Sequence, residues 1–402
     1  MRRPDIAEPT ACDRPIRLVV VVSHPIQYFT PLYRRLAAAP ELDLKVLFAS
    51  RIGLEVRRDV KMGVDMAWAA DLTAGFPHAF LDGAKAIQAT SFFEIDNPGV
   101  GAALRREDPD VIVLHGYAAM TNLKALAWAR LHRRPVVMLS DASVDSSRRL
   151  LGRFGKRLLA PWLLAQFAAF LTMSDRGEAY LARNRVARER LFRTPVTIDE
   201  GFWRARRQRP EARRRGRAAL GVGHQDVLLL SVGKLYPGKR VQDVIAAAVG
   251  LDASVRLVVA GDGVQRAQLE RQADDAGVKA IFPGFVNIDA LPDLYAAADL
   301  LVHAAEIEQY GMVLLEAAVV GLPLIASDRI GAVGPTSIAQ PGVNALVHPC
   351  GDVPALRAAM RRLIAAPAER ARLAAASLQI SQAHDGAASV AAVVEACRYA
   401  RS

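Results

Sequence analysis

Residues 300–326 read LLVHAAEIEQYGMVLLEAAVVGLPLIA, and the order of patterns within them decides the fold. The apolar run Leu300–His303 predicts a buried strand. A loop carrying Glu306 and Glu308 follows, and then an apolar helix that starts near Gly311 and stops at Gly321. Pro323 stands just beyond, where a helix does not continue, and 323–326 predicts the next strand. Strand, loop, helix and strand in this order form the repeating unit of a parallel sheet.

The same unit recurs outward in both directions. In the C-terminal half, strands are predicted at Val227–Val232, Val255–Ala260 and 280–282 before this stretch and at 345–347 after it. One-face spacing of Val241, Val244, Ile245 and Ala248 marks a helix between the first two. Further helices run through Leu356, Met360 and Leu363, and through Val390, Val393 and Val394. Towards the N-terminal end a second series has strands at Ile16–Val22, 44–48, 111–114, 135–139 and 170–173, with helices at 31–38, 121–131 and from Arg176. It ends near Thr194. Residues 51–98 have weak periodicity and scattered glycines, and read as loops and short elements that shape an acceptor site. Two series in 402 residues suit two domains, each large enough for its own core.

Composition narrows the class. Hydrophobic residues make up 52% and charged residues 23%, as in a folded protein of soluble type. The first 17 residues hold two early arginines but no apolar run, so neither a signal peptide nor a start anchor is expected and the cytoplasm is the expected site. Residues 158–171 are too short for a membrane span and contain Pro161 and Gln166. Cys12, Cys350 and Cys397 have neither disulfide nor metal-ligand spacing. The net charge of +11 favours a phosphate-rich partner, whether nucleic acid, an anionic bilayer or a pyrophosphate-bearing substrate, and equally suits an arginine-rich genome. The stretch 203–217, WRARRQRPEARRRGR, has eight arginines but one aromatic residue and no nucleic-acid reader motif, so it reads as a solvated linker and no nucleic-acid partner is expected.

Four charged residues stand where parallel sheets bind ligands, at the carboxyl ends of strands. After Val232 comes Gly233-Lys234-Leu-Tyr-Pro-Gly-Lys239, a turn with two lysines suited to phosphate oxygens. Gly261-Asp-Gly263 makes a tight turn after the next strand, but Arg266 occupies the third glycine position of a dinucleotide fingerprint, so no nicotinamide cofactor is expected. In Pro283-Gly-Phe285-Val286 the backbone can meet a nucleobase. The amides of Gly311, Met312 and Val313, next to Tyr310, open a helix and can receive a phosphate. Glu308 precedes that terminus and Glu316 lies about 7.5 Å along the helix, so one carboxylate can reach a sugar and the other a ribose. Glu316 among Leu314, Leu315, Ala317 and Ala318 needs a partner or a ligand, because a buried lone carboxylate is costly.

Lys234, Lys239, Glu308 and Glu316 together resemble the donor site of the retaining glycosyltransferase family 4, over about residues 192–349. The N-terminal segment Ser23-His-Pro-Ile-Gln-Tyr28 is similar to the opening of one bacterial branch of that family, in place of the glycine pair common elsewhere. The resemblance implies the GT-B fold, two Rossmann-like domains facing across a cleft. Residues 1–195 would be the acceptor-side domain, 196–224 a basic linker, 225–382 the nucleotide-sugar domain, and 383–402 a terminal helix returning to the first domain. It further implies that Lys234 and Lys239 hold the diphosphate, Glu308 contacts the transferred sugar, and Glu316 binds the ribose hydroxyls. Gly233, Phe285, Tyr310, Gly311, Met312 and Val313 complete the donor site, while His24 and Gln27 meet donor or acceptor. His115, at a strand end, stands where many relatives carry a histidine near the reacting sugar. No metal and no cofactor are expected, and Asp108-Pro-Asp110 reads as a structural turn.

The implied reaction is sugar transfer from a UDP or GDP sugar to a glycan or lipid-linked acceptor of bacterial surface polysaccharide. A nucleotide-sugar epimerase of the same fold and a non-catalytic donor-binding subunit are the alternatives. Arg148, Arg149, Arg153, Lys156 and Arg157 precede Leu158, Leu159, Trp162, Leu163 and Phe167, which suits an anionic membrane surface as well as it suits a packed helix.

Overall fold

The computed structural model describes residues 14–54, 71–85, 91–140, 159–207 and 210–402, together with the short antiparallel pair β3 (Arg57–Arg58) and β4 (Asp65–Met66). Two parallel sheets organise the chain. The first contains β1 (Ile16–Val22), β2 (Leu42–Phe48), β5 (His78–Phe80), β6 (Val111–His115), β7 (Val136–Ser140), β8 (Ala169–Thr172) and β9 (Leu191–Arg193). Their order across the sheet is β5-β2-β1-β6-β7-β8-β9. The second contains β10 (Val227–Val232), β11 (Val255–Ala260), β12 (Ala280–Gly284), β13 (Leu300–His303), β14 (Leu324–Ser327) and β15 (Ala345–His348), in the order β12-β11-β10-β13-β14-β15. The architecture is GT-B, with two α/β domains.

Why these segments become central strands follows from their composition. Val19, Val20, Val21 and Val22 are all buried, as are Leu228, Leu229 and Leu230. A strand covered on both faces by helices needs continuous apolar residues, and β-branched ones fit the pleat. One side of each sheet belongs to a separate core, built in the first domain around Leu47, Ile112, Leu114 and Phe170 and in the second around Leu229, Val244, Leu257 and Met360. The remaining sides share one continuous core that runs through both domains.

The strand order fixes where a ligand binds. In each sheet the chain starts in the middle, winds to one edge, then returns and winds to the other. The reversal leaves a crevice between β1 and β6 in the first sheet and between β10 and β13 in the second, at their carboxyl ends. The loops after β10 and β13 carry Lys234, Lys239 and Glu308, so the sheet topology itself brings those three together.

Several contacts tie the halves. Asp175 Oδ2 accepts from the Thr336 amide at 2.9 Å and the Ser337 hydroxyl at 2.8 Å, while Oδ1 pairs with Arg193 at 2.8 Å. A side chain at Gly334 would place its Cβ 2.2 Å from that carboxylate. The terminal helix Gly386–Arg401 packs on β8 and β9, with the Ser389 hydroxyl donating to Pro195 O at 2.7 Å. Its first amide donates to Glu200, which also pairs with Arg35.

The arginine-rich segment departs from its reading as a solvated linker. Most of it is helical, in Glu200–Arg207 and Pro210–Ala219. Trp203 and Arg217 are each 1% exposed. Arg217 donates to Gly223 O at 2.6 Å and Ala297 O at 2.9 Å, and Arg213 pairs with Asp299 at 2.7 Å. Charge counts did not reveal this, because an arginine with enough carbonyl and carboxylate acceptors is as much a packing residue as a solvated one.

Asp108 and Asp110 are held by arginines. Arg14 grips Asp110 with two bonds of 2.7 and 2.8 Å, and Arg17 and Arg134 take Asp108 at 2.7 and 2.6 Å. The basic residues Arg148–Arg157 and Leu158 lie outside the described residues. Downstream of them, Leu159 and Trp162 are exposed, but Leu163 packs against the core and Phe167 is only 1% exposed. Leu163 and Phe167 therefore face the protein rather than a bilayer. Among the described residues, no helix is long and apolar enough to cross a membrane.

Candidate functional site

Loop geometry explains how Lys239 and Glu308 meet. Gly238 O accepts from the amides of both Glu306 and Ile307, at 3.0 and 3.1 Å, which zips the loop after β10 to the loop after β13. Gly238 has no room for a side chain, since a Cβ would stand 2.6 Å from the Tyr236 ring and 3.0 Å from Ile307. On the far side the Glu308 loop is braced by the Gly331 amide donating to Glu308 O at 3.1 Å. The result is an ion pair between Lys239 Nζ and Glu308 Oε2.

A third group joins them. His303, the last residue of β13 and 3% exposed, places Nε2 3.0 Å from the same oxygen. Burial holds His303 below the ordinary imidazole value, so near neutral pH it is an uncharged ring donating Nε2–H. Burial alone would raise the Glu308 carboxyl, but the His303 hydrogen bond and the Lys239 charge outweigh it and hold the group down at about 2. Glu308 is thus a fixed negative charge beside the cleft, locked on one oxygen.

Glu316 occupies a different environment on helix Met312–Val320. Gly311 caps that helix at φ 104°, and a Cβ there would come within 2.8 Å of Ile330. Glu316 is 5% exposed and accepts a hydrogen bond from the Tyr295 hydroxyl at 2.7 Å. Burial raises its carboxyl to about 7, with the Tyr295 bond acting against the rise. Between the ordinary carboxylate value and about 7 the folded chain keeps a proton that the unfolded chain has released. Stability should therefore fall as pH rises through that window. Glu316→Gln should flatten this slope in melting curves taken from pH 4.5 to 7.5; an unchanged slope would place its origin elsewhere.

Glu316, Val313, Lys234, Gly233, Phe285 and Val286 line one pocket, and Gln27 and Tyr28 reach into it from the first domain. The β10 turn can approach β11 only because Gly261 has φ 140° and no side chain; a Cβ would meet Gly233 O at 1.9 Å. Phe285 is 51% exposed, as expected of a residue offering a free face to a ligand. Gln27 Oε1 is buried with no hydrogen-bond partner among the described residues.

The side chains of Tyr310, Met312, His115 and His24 do not line that pocket. Tyr310 is buried in the shared core near Arg193 and Val196, so its side chain does not line the pocket. Met312 packs against the same core. His115 has its Nε2 3.0 Å from the Tyr33 hydroxyl and its ring edge-on to Phe29 at 4.6 Å. Burial lowers it to about 3, with the charge of His24 adding to the effect. His24 Nδ1 lies 2.8 Å from the Ser23 hydroxyl. These neighbours all belong to the first domain, and none joins His115 to Lys239 or Glu308. His303, Tyr295 and Tyr28 were not read from the sequence as site residues. Tyr28 lies in the quoted N-terminal motif, and His303 is a polar residue closing an otherwise apolar strand five positions before Glu308.

Comparison with known proteins shows the family. Residues 212–379 match the family model "Glycosyl transferases group 1", and residues 27–197 match "Glycosyl transferase 4-like domain". A GDP-mannose-dependent alpha-mannosyltransferase of Mycolicibacterium smegmatis is 30% identical over 282 residues, covering 67% of this chain and 69% of that protein. The chain belongs to the GT-B glycosyltransferases. Another such glycosyltransferase, a GDP-mannose-dependent alpha-mannosyltransferase of Mycobacterium tuberculosis, is 30% identical over 62% of this chain, and the match spans 63% of its own length. Anabaena HepE, solved in complex with UDP, superposes with a TM-score of 0.72 at 16% identity, covering 95% of this chain and 98% of that one. At that identity the likeness speaks for the glycosyltransferase fold. Within it, the Lys239–Glu308–His303 cluster sits in the second domain, where the group 1 model matches.

Proposed function

We propose that this glycosyltransferase is a retaining enzyme of family 4. It takes a hexose from a UDP or GDP sugar and gives it to a glycan or lipid-linked acceptor of bacterial surface polysaccharide, at the cytoplasmic face of the membrane. The observation that carries this reading is the clamped Glu308 carboxylate at the crevice between β10 and β13, with the Glu316 pocket beside it. Relatives described as GDP-mannose-dependent and a fold neighbour solved with UDP-glucose support a nucleotide-sugar donor.

The chemistry follows from charge. Departure of a nucleoside diphosphate builds negative charge on phosphate oxygens and positive charge at the anomeric carbon. Lys234, Lys239 and the first-turn amides of helix Met312–Val320 would stabilise the former, with no metal or cofactor required. Glu308 would stabilise the latter. On donor binding the phosphate competes with Glu308 for Lys239, which frees the carboxylate for the sugar while His303 keeps it oriented.

The test is a screen of nucleotide sugars for binding-induced rise in melting temperature, followed by diphosphate release with chelator present. A stabilising donor whose diphosphate is released only with acceptor, chelator or not, is the expected result. Donor conversion without acceptor would indicate an epimerase, binding without release a non-catalytic subunit, and loss of activity with chelator a metal-dependent enzyme.

A further inference from the structure

The helix that carries Glu316 surrounds it with apolar side chains: Leu314, Leu315, Ala317 and Ala318 are all buried. Its polar partner comes from the preceding strand-helix unit. Tyr295, fully buried on helix Leu291–Ala297, donates its hydroxyl to Oε2 of Glu316 at 2.7 Å. Burial and the nearby Glu316 charge both raise the phenol above its ordinary value, so it remains a donor. The ring is fixed in turn by Trp203, edge-on at 5.4 Å and 77°, from the segment that joins the two domains. A buried phenol with one acceptor and a packed ring has little freedom to point anywhere else.

We propose that Tyr295 is a positioning residue, holding one oxygen of Glu316 so that the other stays turned into the pocket to receive the ribose hydroxyls of the donor nucleotide. This rests on the ribose role proposed for Glu316. The carboxylate alone has rotamers that would turn it along the helix, and two hydroxyls are recognised well only by an acceptor fixed before they arrive. Tyr295→Phe removes one oxygen atom and keeps the ring that packs on Trp203, so the change is confined to the hydrogen bond.

The test measures dissociation constants of UDP and GDP and of their 2′,3′-dideoxy forms for the wild type and Tyr295→Phe. The wild type should prefer the ribose form of whichever nucleotide it binds. Tyr295→Phe should weaken the ribose form about tenfold and leave the dideoxy form within about twofold, so that the preference collapses. If the variant keeps the wild-type preference, or weakens both forms alike, Tyr295 does not position Glu316. A wild type that binds a nucleotide without ribose preference overturns the role of Glu316 and this proposal with it. A wild type that binds neither UDP nor GDP overturns the donor reading as a whole.

Discussion

Replacing Glu308 by alanine should lower sugar transfer about a hundredfold to a thousandfold at saturating donor, read as nucleoside diphosphate release. The variant loses a carboxylate that stays charged across the working pH range, because His303 and Lys239 hold its pKa at about 2. His303 is left neutral, while Lys239, with 14% of its side chain exposed, loses its ion-pair partner. The melting temperature should therefore fall somewhat while the fold persists and activity disappears. Lys239→Ala should fall as far by a different route, since it removes a cation from the diphosphate and releases Glu308 from its clamp. Lys239→Arg should recover only part of the loss, because a planar guanidinium does not reproduce the compact ammonium between Glu308 and a phosphate. Near-normal turnover in Glu308→Ala or Lys239→Ala would remove the basis of the assignment.

The second large effect is structural. Arg217→Ala should destabilise the protein by about 3 kcal/mol, since it strips donors from several acceptors at once. Gly223 O and Ala297 O would lose bonds of 2.6 and 2.9 Å, and Asp226 O would lose its bond as well. Asp299 would keep Arg213, so the variant should fold but melt early. Arg214, exposed on the same helix, is the control: Arg214→Ala should stay within about 0.5 kcal/mol of wild type. Equal melting temperatures for the two variants would mean that the buried arginine is not a structural post.

The contrast between Arg214 and Arg217 shows what a sequence conceals. Strand cores such as Val227–Val232 and Val255–Ala260 are legible because burial on both faces demands mostly apolar residues, broken here only by Ser231 and Arg256, and their limits agree with the structure to the residue. The three-residue strands His78–Phe80 and Leu191–Arg193 are too short to show any period. Lys234, Lys239 and Glu308 stand out as charged residues in glycine-containing turns after apolar strands, Glu316 as a carboxylate within an apolar helix, and the set of four as a family resemblance. What the sequence does not display are the groups that orient them. Tyr295 sits in an ordinary amphipathic helix, and nothing nearby in the chain says that its hydroxyl meets a carboxylate 21 positions on. The partners of His115 are equally hidden in the sequence: Tyr33 and Phe29 meet the ring through the packing of the first domain, 82 and 86 positions before it.

A donor diphosphate should take Lys239 from Glu308 at the crevice between β10 and β13. A crystal structure with UDP or GDP bound tests it most directly. Diphosphate oxygens are expected about 2.8 Å from Lys234 Nζ and Lys239 Nζ, near the amides of Gly311–Val313, with the ribose on Glu316 and Glu308 still held by His303. A nucleotide bound elsewhere, with the Lys239–Glu308 pair intact, would contradict it.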